Sequence, residues 1–97
     1  MQYIAERTYQ VKSQDLESFE VTVSISTPFI DDNDLDGDWQ CEYRITGGKM
    51  DVRRKIHGGD SFQSLLLCIK LLESEIKSLK NTLGNSITYL GSNDLLL

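Results

Sequence analysis

The chain of 97 residues is poor in the residues that carry most chemistry. It holds one histidine, one proline, one tryptophan and two cysteines. His57 stands beside Ser61 in sequence, but no third orienting group and no nucleophile elbow accompany them, so nucleophilic catalysis is not expected. Histidine and cysteine at zinc-ligand spacing are absent too. Gly58-Gly59 precedes a helix, yet neither the dinucleotide-binding nor the phosphate-loop glycine spacing is present, and Asp60 fills the position an anion would take. The expectation is a protein that is not an enzyme and carries no cofactor.

The longest uninterrupted apolar run, residues 65–69, is far too short to span a bilayer. Residues 1–7 contain neither a basic segment nor an apolar one of signal-peptide type, so the expected location is cytoplasmic. Cys41 and Cys68 lie apart among apolar neighbours, which predicts reduced, buried thiols and does not call for a disulfide.

Basic residues are scarce where acidic ones are dense. Residues 1–48 carry ten Asp/Glu against three Lys/Arg, and residues 49–97 carry five against seven. A net charge of −5 and a pI near 4.7 argue against nucleic acid, whose affinity rests on neutralising phosphates. They suit a basic protein partner. Apolar residues at 39% and charged residues at 26% fit one globular domain over residues 1–97.

Alternation predicts strands over residues 3–11 and 19–25, the second ended by Pro28. A third strand presents Trp39, Cys41, Tyr43 and Ile45 to one face, and Gly47-Gly48 reads as a hairpin turn into a fourth. With Thr46 opposite Lys49, the outward pairs become Arg44 with Asp51, Glu42 with Arg53, and Asp38 with His57. Arg54 is the misfit, pointing inward opposite Cys41 unless it snorkels at the margin or a bulge intervenes.

Asp60-x-x-Gln63 is a capping box, and Gly84-Asn85 is a stop. Between them Phe62, Leu65, Ile69, Leu72, Ile76, Leu79 and Leu83 form a stripe at helical spacing, predicted to cover the sheet. The fold class is therefore α+β: an antiparallel sheet of about four strands packed on one long helix, in ββββα order. Leu67 and Leu71 lie off the stripe. Either the tail, residues 85–97, docks on the helix over them, or they form a homodimer or partner contact.

The acidic segment at residues 31–38 holds five aspartates. Asp32, Asp34, Asp36 and Gly37 match the opening of an EF-hand calcium loop, but Tyr43 stands where the bidentate glutamate belongs and strands replace the helices. The other readings are a solvated turn and a surface that attracts a basic protein; the charge favours recognition over calcium by a small margin. The recognition residues are then Asp31, Asp32, Asp34, Asp36 and Asp38, with Glu42 on the adjoining strand.

Two resemblances bear on these expectations. Trp39-x-Cys41 on a strand, with Gly59-Asp60-Ser61-x-Gln63-x-Leu65 opening a helix, resembles a pattern in small uncharacterised bacterial domains, where alanine often stands at the position of Ser64. The overall plan resembles the immunity proteins of bacterial polymorphic-toxin and contact-dependent inhibition systems, which are often small, acidic, single-domain and cytoplasmic. That likeness implies an antitoxin role: the aspartates would occupy the active-site cleft of a cognate basic toxin domain, frequently a nuclease.

Overall fold

The computed structural model describes residues 2–12, 18–31, 33 and 37–95. The elements are β1 (Tyr3–Lys12), β2 (Ser18–Ser26), β3 (Phe29–Ile30), β4 (Trp39–Gly47), β5 (Met50–Gly58), α1 (Ser61–Leu83), a 3₁₀ turn (Gly84–Ser86) and β6 (Ile87–Thr88). All strand pairs are antiparallel, giving the expected α+β class with two more strands than the alternation predicts. Both additions are two residues long, too short to show a period.

β4 pairs with β5 along one side and with β2 and then β3 along the other, and β1 and β6 continue outward from β2. Pro28 separates β2 from β3, as a residue with no N–H should. The inner face of the sheet supplies Tyr9, Val11, Val21, Val23, Cys41, Tyr43 and Ile45, all buried. Helix α1 lies chiefly over β4 and β5.

The hairpin register differs from the expected one by two residues. Gly47 pairs with Met50, Ile45 with Val52, Arg44 with Arg53, Glu42 with Lys55, and Gln40 with His57. Each side chain keeps its expected face, because a slip of two preserves the alternation. The cause is Gly47, which belongs to the strand and not to the turn: a Cβ there would collide with the backbone of Glu20 and Val21 on β2. The turn therefore falls on Gly48-Lys49. Arg44 still reaches Asp51, 3.3 Å away, but diagonally. Arg54 lies opposite Tyr43 and is exposed, so it snorkels at the margin without a bulge in this ladder.

Helix α1 starts where the capping box places it. Asp60 Oδ1 accepts the Gln63 N–H at 2.7 Å, and Gln63 Oε1 accepts the Gly59 N–H at 2.6 Å. Gly58 ends β5 so close to the helix that a Cβ would sit 2.5 Å from the Ser64 nitrogen. Ser64 is wholly buried and donates to the Ser61 carbonyl at 2.9 Å.

The buried stripe is rotated from the expected one. Ser64, Cys68 and Ile76 are its buried members, with Leu65, Leu72, Leu79 and Leu83 packed alongside. Phe62 and Ile69, both expected in the core, are exposed at 69% and 37%. Cys68 is fully buried in the core, so burial, then a hydrogen bond with Cys41, pushes its thiol pKa up. Both cysteines are free and buried, as expected.

The described part of the tail, through Leu95, does not dock over Leu67 and Leu71, which are 38% and 45% exposed. It crosses to the sheet instead: Ile87 pairs with Val11 and is fully buried. The Leu95 carbonyl accepts from Arg7 Nη1 at 3.1 Å and from the Tyr9 hydroxyl at 3.3 Å. The Arg7 guanidinium also lies 4.9 Å from the centre of the Tyr89 ring.

Three outcomes are expected. Gly47→Ala will lower stability in urea denaturation by roughly 1–3 kcal/mol; an unchanged midpoint would return Gly47 to the turn. Ile87→Ala will cost about 2–5 kcal/mol, whereas Leu90→Ala, at a site 86% exposed, will stay within about 0.5 kcal/mol. The third concerns pH. Burial, reinforced by a 2.7 Å hydrogen bond to Glu75, holds the Tyr43 hydroxyl above its ordinary pKa of 10.0. The unfolded chain then loses this proton first, so its contribution is intact below pH 10 and lost as pH rises above it. Tyr43→Phe will flatten that alkaline decline in urea midpoints, and an unaltered slope would count against it.

Candidate interaction site

The acidic segment leaves the sheet after Ile30 and returns at Trp39, and these two residues are antiparallel partners. Trp39 in turn faces Gly58, two residues before the helix cap Asp60. The aspartate segment and the start of α1 therefore share one end of the sheet. This end joins two connections that are distant in sequence, and among the described residues they carry Asp31, Asp38 and Asp60.

Of the residues predicted for recognition, Asp31 and Asp38 are described here. Asp31 is half-buried, and its Oδ1 accepts the Asn33 N–H at 2.9 Å, closing a short turn. Asp38 is exposed. Asp32, Asp34 and Asp36 lie outside the described residues, and with them the calcium reading. Among the described residues, no three His, Cys, Asp or Glu side chains gather as metal ligands would.

Glu42 departs from its expected place at the surface. It is 3% exposed, and its Oε2 accepts the Tyr3 hydroxyl at 2.6 Å. Tyr3 stands opposite Ser26 at the start of β1, and the Ser26 hydroxyl accepts the Glu42 backbone N–H at 2.9 Å. The tyrosine thus reaches over the end of β2 to cover the carboxylate. Burial, with the Glu42 hydrogen bond added, raises the Tyr3 pKa. Glu42 is a structural anchor for the N-terminal end of β1, and nothing in the strand pattern announces the contact.

Two residues that sequence reasoning did not assign to a site stand at this acidic end. Phe62, in the first turn of α1, is that helix's one aromatic side chain and is 69% exposed. Ile30, the last residue before the aspartates, is 46% exposed. Exposed apolar groups near carboxylates combine an anchor with a steering charge. Phe62 was legible as an apolar residue but not as an exposed one, since it shares the helical spacing of the true stripe. Leu67 and Leu71 occupy the other flank of the helix and are not brought to this end.

No helix among the described residues is long and apolar enough to cross a membrane. Neither the curated proteins nor the solved structures yielded a match to the chain. One family model does match, and its span runs from within β1 to the residue after Leu95, taking in the helix, the acidic segment and the tail. Over residues 5–96 the chain matches the family described as Domain of unknown function (DUF6968), and it belongs to that family.

Proposed function

We propose that this chain is a non-enzymatic, acidic protein-binding module of the immunity-protein kind, cytoplasmic, whose partner is a basic toxin domain. The observation that carries the reading is the acidic end of the sheet. Residues 31–38 hold five aspartates in sequence and connect Ile30 to Trp39, whose other partner, Gly58, lies two residues before Asp60; Ile30 and Phe62 are exposed. A nuclease cleft is basic because it must hold phosphates, and a row of carboxylates competes for the same cations. Charge at this end would speed encounter, and Phe62 would supply the desolvated contact that holds the complex. The partner needs no nucleic acid or membrane to be recognised.

A homodimer is the second reading, favoured by Leu67 and Leu71, both left uncovered by the tail. It predicts a dimer in light scattering at high protein concentration, lost in Leu71→Lys; a monomer throughout removes it.

For the first reading, the test is a pull-down and titration against the purified C-terminal domain of a large secreted protein encoded immediately upstream. Affinity will fall steeply between low and high salt. Asp34→Asn with Asp36→Asn will weaken binding by roughly tenfold or more, and Phe62→Ala will cost about 2 kcal/mol of binding while leaving the unfolding midpoint unchanged. Absence of binding at either salt, or binding indifferent to both salt and the aspartates, would remove the acidic mechanism.

A further inference from the structure

β5 pairs with β4 along one side, and no strand lies on its other side among the described residues. Gly47 and Met50 close the hairpin turn as a hydrogen-bonded pair, so alternation sends the backbone groups of Val52, Arg54 and Ile56 to β4. Those of Asp51, Arg53 and Lys55 point away from it. Two contacts agree with this assignment. The Glu42 N–H, opposite Lys55, is given to the Ser26 hydroxyl on the β2 side. The Arg53 carbonyl accepts from the neighbouring Arg54 Nη1 at 3.2 Å, outside the ladder. The described tail ends at Leu95 beside Tyr9 of β1, toward the opposite side of the sheet.

The two faces of this edge differ. Val52 and Ile56 pack on the core, so Arg53 and Lys55 face away from α1. Both are exposed, and their side chains form no ion pair or hydrogen bond among the described residues. Arg53 stands opposite Arg44, a like-charge pairing that costs stability, and Asp51 is spent on Arg44. Glu42, opposite Lys55, is 3% exposed and its carboxylate accepts from Tyr3. On the face toward α1 the exposed groups are apolar. Leu67 and Leu71 follow Ser64 by three and seven residues on one side of the helix, and the Ser64 backbone lies against Gly58 of β5. Ile69 and Ile76, on the other flank, face β1 and β2. The two leucines therefore stand on the β5 side of the helix.

We propose that the β5 edge accepts an extended acidic segment of a partner protein, added as a further strand with carboxylates on Arg53 and Lys55 and apolar side chains against Leu67 and Leu71. Three observations choose this occupant. First, the groups on offer at Asp51, Arg53 and Lys55 are those of a ladder, and a docked helix has none to return. Second, charge selects an acidic strand. Arg53, Arg54 and Lys55 follow one another on the edge, and such a row keeps off apolar and basic strands but not carboxylates. A second copy paired through β5 would set this row against itself, like charge on like. Third, the alternation is matched on both faces, with cations on one and exposed leucines on the other. The surface shares no residue with the acidic end, so either proposal can fail without the other.

The test uses the full chain, isotope-labelled for NMR, titrated with a short capped peptide of alternating glutamate and valine. Saturable shifts are expected at the amides of Asp51, Arg53 and Lys55 and at the methyl groups of Leu67 and Leu71. Exchange of those three amides will slow, while the Val52 and Arg54 amides, already paired with β4, keep their rates. Arg53→Glu with Lys55→Glu will weaken the peptide by roughly tenfold or more. Leu71→Ser will weaken it by about threefold, while Ile69→Ser on the other flank leaves it unchanged. A control peptide with proline replacing valine keeps the charge and cannot extend a ladder; it is expected not to bind here. Equal binding of the proline peptide, shifts confined to other parts of the chain, or no saturable binding would each overturn the proposal. So would slowing of the same amides by raised protein concentration alone, which would assign the edge to a second copy.

Discussion

A single helix cannot cover this sheet. Five strands side by side span roughly 19 Å at their usual spacing, while a helix with its side chains is about 10 Å across. Helix α1 sits over β4 and β5, where Cys68 meets the core and Tyr43 donates to Glu75. The half of the inner face formed by β2 and β1 must find other cover. At its far end the tail provides it, through Ile87 beside Val11 and Leu95 beneath Arg7 and Tyr9. At its near end nothing among the described residues does, and the groove beside Ala5 and Ile25 is what remains.

The same constraint sorts the apolar residues of the helix. A stripe wide enough to include Phe62 and Ile69 at one margin and Leu67 and Leu71 at the other exceeds what one sheet contact can bury. Those with Cys68 and Ile76 beneath the helix axis are taken up, and the margins stay exposed. Exposure of both margins gives the molecule two candidate contact surfaces on α1, one continuous with the groove and the other facing away from it. The acidic end adds a third, where the connection after β3 and the start of α1 lie at one end of the sheet.

Much of the architecture was legible because local signals were strong. Alternation in residues 19–25 and the capping box at Asp60 and Gln63 each act within a few residues, and both elements begin and end close to where they were expected. The misjudgements share a different cause, namely partners distant in sequence. The hairpin slipped by two because Gly47 lies against β2, a strand more than twenty-five residues earlier. Glu42 read as a surface acid until Tyr3 closed over it from the far side of β2. One reading had the tail cover Leu67 and Leu71, yet Arg7 and Tyr9 hold it to the sheet through the Leu95 carbonyl. At the site, the aspartates were visible as charge, whereas the exposure of Phe62 and Ile30 beside them depends on where the helix meets the sheet.

The central functional claim is that recognition resides at the acidic end of the sheet. Amide hydrogen exchange of the chain, free and mixed with the proposed basic partner domain, tests it most directly. New protection is predicted over residues 30–38 and 60–63. Protection confined to β5 or to the Gly48-Lys49 turn, with no change at the acidic end, would contradict it.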